Sequence, residues 1–209
     1  MVWDMVLTLL DQNDLRLRLA CAPLSRSQLR DREQQYEIDA LLAIVANSKD
    51  DQDRQGLGSA TAGLSACQVS IMKQVCIVDM SIGRRGYHDF CVLVNPKITW
   101  RSKSVVTKSE SCLNFPTVWG ITRRARSIRI SALDRSGNEI AMKLEGWPAV
   151  LLQHEVDHMN GHLFIDRLAD PTRAHLVDPG EYSQYLKHRG TWTKIIDVTD
   201  QTRKTLDLD

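Results

Sequence analysis

Apolar positions recur with a helical period early in the chain and with a strand period through its middle. Between Ser25 and Asn47, Ile38, Leu41, Leu42 and Val45 fall at i, i+3, i+4 and i+7. That spacing puts them on one face and predicts a helix over the stretch. Residues 48–61 are polar with two glycines and read as a loop. Short strands follow. Val75–Asp79 is β-branched, Cys91–Val94 is apolar and stops at Asn95-Pro96, and Ser127–Leu133 alternates with Ile128, Ile130 and Ala132 on one side. Asp134–Asn138 has turn chemistry, so Glu139–Leu144 is predicted as the return strand of a hairpin. The helical period then returns. Pro148 suits a first turn and Gly161 an end, with Val150, Leu151, His154 and His158 between them. Past Leu168 the pattern fades, broken at Asp170-Pro171 and Asp178-Pro179-Gly180. Helix, several strands, then helix predicts an α+β fold with mostly antiparallel sheets. The expected organisation is one domain over residues 1–168 and a peripheral C-terminal extension over residues 169–209.

Composition narrows the class. The chain has 209 residues, 43% hydrophobic and 25% charged, enough for one domain with a sizeable core. Lys and Arg total 27 against 26 Asp and Glu, a net charge of +1, so neither nucleic-acid nor membrane-surface binding is expected. No apolar run approaches the roughly 18 residues of a membrane span. The run Met5–Leu10 is short, follows an acid and has no basic residues before it, so no secretory leader is expected. Five cysteines at scattered spacings describe no disulfide framework, and a reducing, cytoplasmic setting is expected.

The late helix carries candidate chemistry. His154-Glu155-Val156-Asp157-His158 is an H-E-x-x-H match. Residues four apart share a helical face, so both imidazoles can grip one metal ion, and Glu155 can reach a water held beside it. A catalytic metal site usually takes three protein ligands and keeps one position open. On spacing alone the third ligand is open. It lies downstream among His162, Asp166, His175, Glu181 and His188, or upstream at Cys112, whose thiolate suits zinc or iron(II).

Three segments in order resemble one family. Thr61-Ala62-Gly63-Leu64-Ser65-Ala66-Cys67-Gln68 is similar to G-x-G-L-A-A-x-Q. Glu110-Ser111-Cys112-Leu113-Asn114 is similar to E-G-C-L-S. Gln153-His154-Glu155-Val156-Asp157-His158 is similar to Q-H-E-x-D-H. These are the marks of the peptide deformylases, and the similarity runs from about Leu15 to Leu168. The resemblance implies an α+β domain with the H-E-x-x-H helix at its centre. It implies hydrolytic removal of formyl from the N-terminal formyl-methionine of new polypeptides. It also implies one divalent metal ion per chain, with Fe2+ expected and Zn2+, Ni2+ or Co2+ as replacements. Carried onto this chain, the ligands become Cys112, His154 and His158, and the base becomes Glu155. The oxyanion donors become the Gln68 side-chain amide and the Leu113 backbone N–H. Gly63, Leu64, Ser111, Val150 and Leu151 are expected to border the substrate. The expected partners are nascent formyl-methionyl chains and the ribosome.

The chain departs from the family at named positions. Thr61 and Ser111 stand where glycines are usual, Ser65 where alanine is, and Asn114 where serine is. Thr61 and Ser111 are expected to narrow or reshape the groove, and Trp119 to add a bulky wall. Two other readings compete. One is a metallopeptidase with a downstream ligand, in which Cys112 is dispensable. The other is a deformylase-like domain that binds formyl peptides or ribosomes without turnover.

Overall fold

The computed structural model describes residues 7–55, 62–81, 88–170 and 172–196; the side chains of residues 47–55 and of Pro179 are not described. Thr61 lies outside the described residues, as do the rest of the glycine-containing stretch 56–61, the Pro171 break and the terminal residues 197–209.

The first helix, α1, spans Arg32–Gln55. It starts later than the periodicity predicted, because Gln28–Arg30 forms a separate tight turn ahead of it. It also runs on through residues 48–55, where a loop was expected. Ile38, Leu41 and Val45 are buried on its inner face, as their spacing requires.

Strands β1 (Gly63–Ser65), β2 (Val75–Asp79), β3 (Phe90–Arg101), β6 (Ser127–Leu133) and β7 (Glu139–Glu145) form one antiparallel sheet in the order β1-β2-β3-β6-β7. Strand β2 is buried at every residue, which is why its first four residues are all apolar. Strand β7 alternates, with Ile140, Met142 and Leu144 packed inward. Strand β3 does not stop at Asn95-Pro96. The pairing with β6 shifts register between Val94 and Lys97, so a bulge takes the proline, which has no N–H to donate. Asn95 sits there at φ 50°, and its side chain ties the bulge to the backbone of Leu24 through 2.8 and 2.7 Å hydrogen bonds.

Strands β4 (Val105–Cys112), β5 (Phe115–Ala125), β8 (Ala174–Leu176) and β9 (Ile195–Ile196) make a second antiparallel sheet. The stretch after 168 is not peripheral, because β8 pairs along β5 from Val118↔Leu176 to Gly120↔Ala174. Helix α3 (Tyr182–His188) follows, with Tyr185 fully buried.

Helix α2 (Trp147–Met159) touches strands of both sheets. Pro148 sits in its first turn, where the missing N–H is harmless. The C-terminal two turns are enclosed, with every residue from Leu152 to Met159 buried. Its polar side chains therefore need partners, and Gln153 finds them on β5, exchanging hydrogen bonds with the N–H and C=O of Ala125 at 3.1 and 3.0 Å. Gly161 ends the helix region at φ +74°, and a Cβ there would lie 2.4 Å from the Arg18 carbonyl oxygen, so no larger residue fits. All five cysteines are free, and no helix among the described residues is long and apolar enough to cross a membrane.

Candidate metal centre and active site

One turn of α2 brings the two histidines of the H-E-x-x-H match together. His154 Nε2 and His158 Nε2 lie 3.2 Å apart, and Cys112 Sγ, at the end of β4, lies 3.2 Å from His158 Nε2. All three residues are buried. Bond lengths of about 2.0–2.3 Å in a tetrahedral site require donor separations of about 3.3–3.6 Å. The three atoms are close to that spacing, so a divalent ion fits with small adjustment. Among the described residues this is the cluster of three metal-capable side chains. The downstream candidates do not join it. His162 faces Asp166 at 3.9 Å, His175 contacts the Tyr185 hydroxyl at 3.1 Å, Glu181 binds Lys194 at 2.6 Å, and His188 is exposed at the end of α3.

The surroundings favour the charged imidazolium at His154 and the neutral ring at His158. Burial disfavours a charged His154, but Cys112 and Glu110 outweigh it and raise its pKa to about 10. Burial, with the His154 charge beside it, pushes His158 well below its ordinary value. A cation at the cluster competes with the proton that charges His154.

Glu110, two residues before Cys112, holds the His154 ring. Its Oε2 lies 2.9 Å from His154 Nδ1, which leaves Nε2 turned to the cluster. Arg124 on β5 binds Glu110 through Nε and Nη2, both at 2.9 Å, and also binds Asp157. Asp157 in turn receives Arg167 at 2.8 and 3.0 Å. No role for these residues was expected from the sequence. The acids stand inside the quoted motifs and were visible there. Arg124 was not, since in Arg123-Arg124 it looks like surface charge yet its side chain is 3% exposed.

Arg124 carries two predictions. Arg124→Leu leaves buried Glu110 without its guanidinium and Asp157 with Arg167 alone, and should lower unfolding free energy by about 3–5 kcal/mol in urea titration. The same network sets the acid limit. Burial raises the Glu110 pKa, but hydrogen bonds from His154 and Arg124 win and bring it from 4.5 down to about 2. Asp157 is also lowered: burial opposes this, and Arg167 and Arg124 outweigh it. Depressed carboxylates stabilise the fold fully above their ordinary values. Stability should therefore hold above about pH 4.5 and fall as pH drops toward about 2, in acid titration followed by circular dichroism.

Glu155 is buried beside the cluster. Burial raises its pKa, against the His154 charge and a hydrogen bond from Ser65. The Ser65 hydroxyl lies 2.8 Å from Glu155 Oε2 and 2.9 Å from the Glu155 carbonyl oxygen. Gly63, also on β1, is needed for space: an ideal Cβ would sit 2.5 Å from Glu155 Oε1 and 3.0 Å from Leu151 Cδ1. Gly63→Ala should displace the carboxylate. It should lower kcat/KM by about 10- to 100-fold with little change in the urea midpoint.

Gln68 is held at both ends of its amide. Its Oε1 accepts from the Ser65 N–H at 2.8 Å, and Nε2 donates to Asn114 Oδ1 at 2.8 Å and toward Cys112 Sγ at 3.4 Å. Asn114 is anchored to the Leu10 carbonyl at 2.7 Å. Both Ser65 and Asn114 are positions where the chain departs from the motif.

A cavity of about 300 Å³ opens over these groups, lined among others by Gly63, Gln68, Ser111, Cys112, Leu113 and Glu155. Trp147, Val150, Leu151 and His154 follow one another at i, i+3, i+4 and i+7 of α2 and form an apolar wall beside the metal ligands. Trp119 also lines the cavity. Leu64 does not: it is fully buried in the apolar cluster under α1, because β1 turns alternate side chains to opposite faces.

A mixed α/β fold around a buried Cys-His-His cluster with an adjacent carboxylate defines a metal-dependent hydrolase. The sequence pattern described as polypeptide deformylase matches residues 6–174. The peptide deformylase of Alkalilimnicola ehrlichii is 34% identical over 168 residues, 80% of this chain and 85% of that one. The chloroplastic peptide deformylase 1B of Solanum lycopersicum is 37% identical over 108 residues, 52% of this chain and 38% of that one. A Met-Ala-Ser-bound class I type b peptide deformylase from Acinetobacter baumannii superposes with a TM-score of 0.68 at 30% identity, covering 78% of this chain and 99% of that one. The chain belongs to the peptide deformylase family.

Proposed function

We propose that this chain hydrolyses the formyl amide of N-terminal formyl-methionine on new polypeptides, with iron(II) as the native metal. The observation that carries the reading is the convergence of a three-donor cluster, a buried carboxylate and an oriented amide on one apolar-walled cavity. Cys112, His154 and His158 would hold a divalent ion, which would supply the Lewis acidity that makes water a nucleophile near neutral pH. The thiolate favours a soft or borderline ion, which suits iron(II) and zinc alike.

The chain's own groups do the rest. Ser65 engages Glu155 Oε2, which leaves Oε1 to take the proton from the attacking water and return it to the leaving amine. The Gln68 Nε2 amide and the Leu113 N–H donate to the oxyanion as the carbonyl becomes tetrahedral, and one such donor contributes about 10²–10³ in rate. Gln68 donates without adding a charge that would compete with the metal. The wall of Trp147, Val150 and Leu151 takes the methionine side chain, with Gly63 and Ser111 bordering the backbone. The compartment is the one where formylated chains are made, which we take to be the cytoplasm, beside the ribosome.

The test is turnover of formyl-Met-Ala-Ser by anaerobically iron-loaded protein, followed by release of the free amine. Amine release on this peptide is the expected result. Absence of turnover with iron(II), nickel, cobalt and zinc alike overturns the reading and favours a binding role.

A further inference from the structure

The family pattern ends at Ala174, yet the chain beyond it returns to the cavity. Tyr182 and Leu186, one turn apart on α3, and Arg189 in the turn after it line the same cavity as Gln68, Cys112 and Glu155. The segment is fixed in place. Tyr185 is buried with its hydroxyl 2.7 Å from Ser109 Oγ, on the strand that carries Cys112. Trp192 packs edge-on against Tyr185 at 5.3 Å and donates to the Leu176 carbonyl at 2.9 Å. Trp119 lies against Tyr182 and Tyr185, with ring centroids 4.9 and 5.5 Å away.

Three features of this wall point to a peptide ligand. Leu186 remains 42% exposed, an apolar side chain left open at the mouth of the cavity. The Trp119–Tyr182 pair offers an aromatic surface beside it. Arg189 is exposed, and its guanidinium makes no hydrogen bond or ion pair among the described residues, so its charge is free to meet a ligand.

We infer that residues 182–189 form a specificity wall that reads the residues following formyl-methionine, favouring a large apolar side chain first and an acidic one next. The inference rests on the proposed deformylase reading. The methionine side chain fills the slot on α2, so the rest of the peptide leaves along the remaining lining, which Trp119, Tyr182, Leu186 and Arg189 supply. Aromatic contacts favour a bulky residue there. An unpaired guanidinium favours a carboxylate, with an effect that shrinks as salt rises.

The experiment compares formyl-Met-Phe-Glu, formyl-Met-Phe-Lys and formyl-Met-Ala-Ser on the iron-loaded full chain and on Arg189→Glu and Leu186→Ala. The unformylated products Met-Phe-Glu and Met-Phe-Lys are also titrated calorimetrically. Wild type should prefer the Glu peptide to the Lys peptide, and Arg189→Glu should shift that ratio by roughly three- to tenfold, chiefly through KM. Leu186→Ala should lose a similar factor for the Phe peptides relative to Ala-Ser. A wall with only a structural role would change all three peptides alike. Unchanged ratios in both variants overturn the inference while leaving the deformylase reading intact. If no formyl peptide is turned over, that reading fails by itself. The product-binding ratio then decides the wall, a shift with Arg189→Glu supporting it and a constant ratio overturning it.

Discussion

Glu155→Gln retains the metal and loses about 10²–10⁴-fold in kcat, the usual range for removing a general acid-base group. The variant isolates the proton because little else changes. Glutamine has the same length, so it fits the space that Gly63 leaves open beside Oε1. The Ser65 hydroxyl can still donate to the amide oxygen, as it does now to Oε2 at 2.8 Å. The cluster of Cys112, His154 and His158 does not include Glu155, so metal content should match the parent. What is lost is a group that accepts a proton from water and then releases it to nitrogen. Metal analysis and turnover on one preparation check both halves. Substantial activity in Glu155→Gln would show that another group moves the proton.

The parts of this molecule with a local signature were legible in the sequence. Strands β2 and β6 have the predicted bounds because one is β-branched and apolar up to its closing Asp79 and the other alternates. Helix α2 was legible from Pro148, its apolar flanks and the paired histidines. The hidden parts depend on distant partners. Lys108, Glu110, Arg123 and Arg124 interrupt the apolar pattern of β4 and β5, yet Glu110 and Arg124 are buried because each neutralises the other. Strand β8 has three residues and exists by pairing with β5. Tyr185 and Trp192 pack together only once that pairing has folded the tail back, so no periodicity announced them.

The departures from the family motifs read differently in three dimensions. Ser65 and Asn114 stand where alanine and serine are usual, and their side chains make hydrogen bonds to Glu155 and Gln68. Each sits one layer behind a reactive atom. Ser111 and Trp119 do line the cavity, and they pair with each other across β4 and β5. The wall they share continues into the C-terminal segment, so substitutions near the second motif and residues past 174 act on the same surface.

Cys112→Ala should lose metal affinity by more than the 10–100-fold typical of removing a group that only orients a ligand. The thiolate is one of three donors, and alanine leaves two imidazoles whose Nε2 atoms lie 3.2 Å apart. Two donors hold a divalent ion far more loosely than three, and protons compete with it for the imidazoles. The expected pattern is graded. After dialysis against a chelator, Cys112→Ala is metal-free, Glu110→Gln keeps part of its metal because all three donors remain while the contacts to His154 and Arg124 are weakened, and His162→Ala keeps the parent's content. His162 is the control because it stands downstream of the pair, near Asp166 and outside the cluster. Full metal content in Cys112→Ala, with loss in His162→Ala, would move the third ligand downstream and remove the basis for a deformylase mechanism. The graded result instead ties metal retention to the soft donor on β4. Oxidation of that one sulfur should then abolish metal binding and turnover together, while the fold held by Arg124 remains.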